Sequence, residues 1–230
     1  DFLHHLLFGI YPYIALAVLA VGSVIRYDRE PYSWRAGSSQ LLRRKQLMWG
    51  SLLFHVGVLL IFAGHLVGLL SPLALWDFLG ITHGTKQMIA IVLGGVAGAM
   101  GIVGATLLLH RRFFDARIRR NSSFSDNLII FILWVQLALG LLTIRVSMQH
   151  LDGEEMVKFM HWAQGIFTFD PQAASYVADA DLTFKLHITL GLTIFVLFPF
   201  SRLVHMLSAP VRYIWRPGYQ VVRTRRPPAE

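Results

Sequence analysis

The stretch LFHVGVLLIFAGHLVGLLSP (53–72) decides the fold, because it is almost entirely apolar and yet carries two histidines, His55 and His65. It lies within an uncharged run that extends over 46–76. A helix of about 20 apolar residues crosses the hydrocarbon core of a membrane, which is roughly 30 Å thick. The stretch therefore predicts a membrane-spanning helix, and ionisable side chains inside such a helix indicate a functional site.

The chain carries four more uncharged runs, over 2–25, 87–110, 127–144 and 186–201. With 55% hydrophobic and 15% charged residues, its 230 residues include too few charges to cover a soluble domain. The last run is short, but Lys185 and Arg202 flank it, and their long side chains can reach the membrane interfaces.

We therefore predict an all-α fold, an integral membrane bundle formed by a single domain over 1–230. Its five transmembrane helices are expected near 5–25, 47–70, 87–109, 127–145 and 184–206. Apolar residues at helical spacing over 154–169 predict a further, amphipathic helix that lies at the membrane interface with Trp162 as its anchor.

The basic residues indicate the orientation. Most of the 21 lysines and arginines lie after the first, third and fifth predicted helices. The positive-inside rule then places the N-terminus outside and the C-terminus, with a tail over 207–230, in the cytoplasm. The basic ends are expected to contact anionic lipid headgroups or to dock a cytoplasmic partner. Nucleic acid is not expected as a partner, because no basic stretch is interleaved with exposed aromatic residues on a soluble domain.

A second pair of histidines, His187 and His205, lies in KLHITLGLTIFVLFPFSRLVH (185–205). The helix with His55 and His65 is predicted to run outward, and the helix with the second pair is predicted to run inward. His65 is then level with His187 near the outer face, and His55 is level with His205 near the inner face.

The spacing along the two helices does not match. Ten residues separate the first pair and eighteen the second, which corresponds to roughly 15 Å and roughly 27 Å along straight helices. A tilt or a kink at Pro199 is needed to absorb the difference.

Two facing imidazoles suit haem iron better than zinc. Zinc usually takes four protein ligands, whereas a macrocycle supplies four nitrogens to iron and leaves two axial positions. The glycines near the histidines are expected to let a flat macrocycle approach the backbone: Gly57, Gly64, Gly68 and Gly191. Because the chain has no cysteine, no iron–sulfur cluster is expected within it. Histidines that only form hydrogen bonds, or that serve a proton- or metal-coupled transporter, are the alternatives.

The chain resembles the gamma subunit of membrane-bound respiratory nitrate reductase, a di-haem cytochrome b. The two histidine-bearing stretches carry the resemblance together with YPYIA (11–15), RYDREPYSWRAGSSQLLRRK (26–45), LALGLLTI (137–144), QHLDG (149–153) and WAQGIFTF (162–169).

The resemblance implies that His65 and His187 ligate the iron of an outer b-type haem, and that His55 and His205 ligate an inner one. It implies quinol as the substrate near the outer haem, where Lys86 and Gly64 are the candidate catalytic residues. Near the inner haem, the candidates for pairing with its propionates are Arg111, Arg112 and Arg202.

The resemblance also implies partners and a location. Protons from quinol are expected outside, and electrons are expected to pass inward to an iron–sulfur beta subunit and a molybdenum-containing alpha subunit in the cytoplasm. The location is the cytoplasmic (inner) membrane of a bacterium. A di-haem subunit of a sulfite- or heterodisulfide-linked complex is the nearest alternative.

Overall fold

The computed structural model describes residues 1–34, 42–208 and Trp215. In this part of the chain there is no strand, and the α-helices are α1 (Phe2–Arg29), α2 (Arg44–Leu70), α3 (Leu73–Phe78), α4 (His83–Phe114), α5 (Ala116–Arg120), α6 (Phe124–Ser147), α7 (Glu154–Thr168) and α8 (Leu182–Leu197). A π-helical turn over Leu6–Ile10 interrupts α1. Five helices are long and apolar enough to cross a membrane, namely α1, α2, α4, α6 and α8 with its continuation to Phe200. The prediction of an all-α chain with five apolar spans is thus confirmed.

Short polar side chains define where the spans begin. Thr82 accepts a hydrogen bond from the amide of Thr85 at the start of α4, and Ser123 accepts one from the amide of Asp126 at the start of α6. Asp181 does the same for the first turn of α8. These caps satisfy amides that have no partner within the helix.

The spans pack in a defined order. α2 lies along α4, α4 also lies along α6, and α8 packs on both α1 and α6. The α2–α4 contact is close because glycines line it: a Cβ at Gly104 would lie 2.3 Å from the amide nitrogen of Phe54. A Cβ at Gly57 would lie 2.5 Å from the amide nitrogen of Gly101. Gly57 therefore serves this helix contact and not a macrocycle, as small residues do between membrane helices.

The connection between α6 and α8 folds back over one end of the bundle. The amphipathic pattern predicted over 154–169 is α7, but Trp162 is not an interfacial anchor. Its indole is buried, and Nε1 donates to the carbonyl of Phe8 at 2.9 Å. The prediction for Trp162 was wrong because the start of α1 and the turn Ala173–Val177 cover the apolar face of α7 with protein. We call this assembly of α7, the turn and the start of α1 the outer cap, after the side of the membrane on which the sequence predicts it.

An ion-pair bridge holds the outer cap to the chain before α8. The ammonium of Lys158 on α7 lies 2.8 Å from Glu155 and 2.7 Å from Asp179. The hydrogen bond from Lys158 lowers the pKa of Asp179 below its ordinary value, and hydrogen bonds to Asp179 and Glu155 raise the pKa of Lys158. Lys158 and Asp179 are therefore both charged at neutral pH.

The last span is not one continuous α-helix. α8 ends at Leu197, a 3₁₀ turn covers Phe198–Phe200, Ser201 is extended, and a second 3₁₀ segment covers Arg202–Ser208. Proline cannot continue the helical hydrogen bonds. The guanidinium of Arg26 on α1 instead donates to the carbonyls of Pro199 and Ser201, both at 2.7 Å. The helix predicted over 184–206 is therefore shorter, and most of the tail predicted over 207–230 lies outside the described residues.

Candidate functional site

Two pairs of histidines face each other between α2 and the last span. The ring centres of His65 and His187 are 6.1 Å apart, and those of His55 and His205 are 6.3 Å apart. These are the pairs that the helix directions predict. By their predicted depths we call His65 and His187 the outer pair, and His55 and His205 the inner pair. The mismatch expected for straight helices does not arise, because the chain leaves the axis of α8 before it reaches His205.

Three of the four imidazoles are oriented by a backbone carbonyl. Nδ1 of His55 and of His65 lies 2.7 and 2.8 Å from the carbonyl oxygen four residues earlier in α2. Nδ1 of His205 lies 2.5 Å from the carbonyl of Arg202. A carbonyl only accepts, so Nδ1 carries the hydrogen and Nε2 of the neutral ring keeps its lone pair. This is the arrangement that metal-ligating histidines adopt.

The separations fit one metal ion between each pair. A ligating imidazole nitrogen lies about 2.0 Å from its metal and about 1.2 Å from its own ring centre, so two imidazoles on opposite sides have centres about 6.4 Å apart. Both observed separations are close to this value. The described ranges contain no group of three or more histidine, aspartate or glutamate side chains arranged around one ion. Each pair therefore fits a macrocycle that supplies the remaining ligands.

The surroundings of the pairs leave room for a flat group. α2 is the least buried of the five spans, and His55 and His65 lie on its exposed side. A Cβ at Gly64 or at Gly68 would meet nothing within 4 Å among the described residues. Gly191 does not face open space, because a Cβ there would lie 3.2 Å from Nε2 of Gln136.

Lys86 lies buried near the outer pair, at the start of α4. Its ammonium donates to the carbonyl of Gly68 at 3.0 Å, contacts Sδ of Met160 at 2.9 Å and lies 4.4 Å from the ring centre of Trp76. Gly68 follows His65 by one helical turn. Lys86 is 4% exposed, and among the described residues its ammonium contacts neutral groups and no carboxylate.

The three predicted arginines gather at the other end of the bundle, but they differ in their contacts. Arg111 is buried and donates to the carbonyl of Leu42 at 2.5 Å. Arg202 lies 3.7 Å from the carboxylate of Asp126. Nη1 of Arg112 is buried and has no hydrogen-bond partner in the part of the chain that the structure describes. Of the three, Arg112 is therefore the best placed to donate a hydrogen bond to an additional carboxylate.

Sequence reasoning missed two residues of α6 that contact the outer pair. Gln136 donates to the backbone carbonyl of His187 at 3.0 Å. A Cβ at Gly140 would lie 3.0 Å from Cε1 of the His187 ring. An amide in the middle of the apolar run 127–144 was the available signal, because polar side chains inside a membrane span usually have a purpose.

Comparisons with known proteins identify the family of the chain. The profile of the family described as nitrate reductase gamma subunit matches residues 4–225. The chain is 48% identical to the respiratory nitrate reductase 1 gamma chain of Escherichia coli (strain K12), over 98% of this chain and 99% of that protein. It is 45% identical to the respiratory nitrate reductase 2 gamma chain of the same strain, with the same coverage. It is 37% identical to the nitrate reductase gamma chain of Bacillus subtilis (strain 168), over 96% of this chain and 98% of that protein.

Proposed function

Because the chain belongs to the nitrate reductase gamma subunit family, we propose that it is a di-haem cytochrome b that oxidises quinol at the outer end of its bundle. It is a multi-pass membrane protein and one subunit of an oxidoreductase complex. The nitrate chemistry named for its relatives is assigned to partner subunits, an iron–sulfur beta subunit and a molybdenum-containing alpha subunit. A bacterial cytoplasmic membrane is the proposed location.

The observation that carries the proposal is the geometry of the two histidine pairs. His65 and His187 would hold the outer b-type haem, and His55 and His205 the inner one, at ring separations of 6.1 and 6.3 Å. When bound, the two haems supply one-electron carriers at two depths and leave no open position for oxygen. The hydrogen bonds at Nδ1 make the imidazoles better ligands by raising their basicity.

Lys86 and Gly64 are proposed to receive quinol. An ammonium has three donors, and one of those of Lys86 is directed to a thioether, which is a weak acceptor. A quinol oxygen can replace the thioether as the acceptor of that hydrogen bond. At Gly64 the absence of a side chain lets the quinol ring approach α2 beside His65. Quinol protons are then released at the outer face.

The inner end is proposed to face the cytoplasm and the partner subunits. Basic residues concentrate there, and the positive-inside rule places such ends in the cytoplasm. Among the three arginines, Arg112 is proposed to pair with a propionate of the inner haem, and Arg111 and Arg202 to add positive charge around it.

The experiment is a reduced-minus-oxidised absorption spectrum of the purified complex and of single histidine variants. We expect His65→Ala and His187→Ala to remove the same haem, and His55→Ala and His205→Ala to remove the other. The matched control is His110→Ala, because His110 also lies in a membrane span but bonds Gln46 and stacks on Phe114. Both haems should remain in this variant.

Two results would contradict the proposal. Absence of b-type haem bands from the wild-type complex would refute the cytochrome function and would favour a transporter. Loss of different haems from the His65 and His187 variants would refute the pairing alone.

A further inference from the structure

His187 differs from the other three histidines in its hydrogen bonding. Its Nδ1 atom is buried and has no hydrogen-bond partner within the described ranges 1–34 and 42–208. In the other three, Nδ1 donates to a carbonyl of the same segment. A ligating histidine normally has an acceptor at this position, and a buried donor without one is costly.

A buried acceptor without a described partner lies on the helix that faces His187. It is Oε1 of Gln136 on α6. The same amide already donates from Nε2 to the backbone carbonyl of His187 at 3.0 Å. The unsatisfied donor and the unsatisfied acceptor thus belong to two residues in direct contact.

Two glycines fit these side chains to each other. Gly140, one turn after Gln136 on α6, leaves room for the imidazole, because a Cβ there would lie 3.0 Å from Cε1 of His187. Gly191, one turn after His187 on α8, leaves room for the amide, because a Cβ there would lie 3.2 Å from Nε2 of Gln136. The imidazole and the amide each occupy the space that the opposite glycine leaves.

We propose that Gln136 is a positioning residue for His187: its side-chain oxygen accepts the Nδ1 hydrogen when His187 ligates the outer haem. This inference rests on the proposed haem function. The Gln136 side chain, which already contacts His187, would turn its oxygen toward the imidazole. The outer pair would then have an acceptor on a neighbouring helix, whereas the inner histidines bond groups of their own segments: the carbonyl and the hydroxyl of Ser51 for His55, and the carbonyl of Arg202 for His205.

Loss of this acceptor is expected to change the reduction potential of the outer haem in one direction. A hydrogen bond at Nδ1 increases the electron density that the imidazole donates to iron and favours the oxidised state. Gln136→Met fills a similar space and offers only a weak thioether acceptor, so we expect the reduction potential of the outer haem to rise. Gln136→Glu keeps an acceptor oxygen, so we expect a potential equal to or below that of the wild type. The inner haem should be unaffected in both variants.

The test is a redox titration of the intact complex, with the electron paramagnetic resonance signal of each ferric haem as a second readout. The matched control is Gln87→Met on α4. Gln87 also has a buried Oε1 without a described partner, and it donates to the carbonyls of Ser147 and His150. None of its described hydrogen bonds is with a histidine of the outer or the inner pair. The control should leave the outer-haem potential and signal unchanged.

The outcomes separate the two proposals. A wild-type complex with two haems and a Gln136→Met variant with an unchanged outer-haem potential and signal would overturn this inference alone. If Gln136→Met cannot retain the outer haem, Gln136→Glu decides: retention at or below the wild-type potential supports the inference, and loss overturns it. A wild-type complex without haem would overturn the proposed function as well.

Discussion

Lys86 is a buried cation, and its contacts among the described residues are with neutral groups. Burial of an ammonium is unfavourable unless polar partners replace its water. A carbonyl, a thioether and the face of Trp76 replace only part of that hydration, and they leave the charge available to an incoming oxygen atom. Lys86 is therefore suited to recognising a substrate rather than to stabilising the bundle.

We expect Lys86→Ala to lower kcat/KM for quinol on the order of 10- to 100-fold, the effect of losing one hydrogen bond to a charged group. Both haem spectra should remain near those of the wild type. The measurement is steady-state quinol oxidation by the purified complex. Lys158→Met is the control, because two carboxylates already neutralise that outer lysine. Unchanged quinol kinetics in Lys86→Ala would exclude its role.

Gly140 provides a test of the space around His187. In Gly140→Ala the new Cβ would lie 3.0 Å from Cε1 of the ring, which is closer than most such contacts, so the imidazole must shift by a few tenths of an ångström. We expect a lower content of the outer haem per protein and an unchanged content of the inner haem, which serves as the internal control. Equal haem contents in the variant and the wild type would show that the site tolerates the methyl group.

Some of these residues could be predicted from the sequence and others could not. The four histidines stand out because imidazoles are rare in apolar runs, and helix direction is sufficient to pair them. Gln136 was missed because its contact with His187 joins two helices 51 positions apart in sequence, and composition alone does not show which faces of α6 and α8 meet.

Among the elements, α7 with the outer cap shows how long-range contacts change a local prediction. The helix follows from its apolar spacing, but its position does not. Trp162 bonds a carbonyl 154 positions earlier, and the apolar face of α7 is covered by α1 and by the turn Ala173–Val177. The early end of α8 has a similar cause, since Arg26 holds the carbonyls of Pro199 and Ser201 from the opposite end of the chain.

The ion-pair bridge of the outer cap predicts a pH dependence. Because the folded pKa of Asp179 is lowered, its contribution to stability is complete above its ordinary value of 3.8 and is lost as the pH falls through the folded value. The raised pKa of Lys158 keeps that partner charged throughout this range. We expect Asp179→Asn to destabilise the cap at pH 7 by about 0.2–1 kcal/mol, since the pair is partly exposed.

The measurement is limited proteolysis of the 146–183 connection at several pH values, with thermal unfolding as a second readout. Asp179→Asn should be cleaved faster than the wild type at neutral pH. The difference should disappear as the pH falls through the lowered pKa of Asp179, because the wild-type carboxylate then becomes protonated. A difference that stays constant as this carboxylate is titrated would mean that the bridge does not contribute through charge.

The whole bundle has a charge asymmetry that predicts its orientation in the membrane. The chain has no cysteine, so a single introduced cysteine gives a clean label. We expect Gln172→Cys, exposed in the outer cap, to react with a membrane-impermeant maleimide in intact cells with a permeable outer envelope. Asn121→Cys, exposed between α5 and α6, should react only after the membrane is opened. The reverse pattern would invert the proposed orientation.

Each histidine pair takes one ring from α2 and one from the last span, so both pairs depend on the same two segments. Because the last span follows α2 in the chain, the ribosome delivers it later. A nascent chain, or one truncated before residue 182, therefore presents one imidazole of each pair and completes neither pair. Under the proposed function the two sites become available together, so translation does not produce a subunit with one complete site.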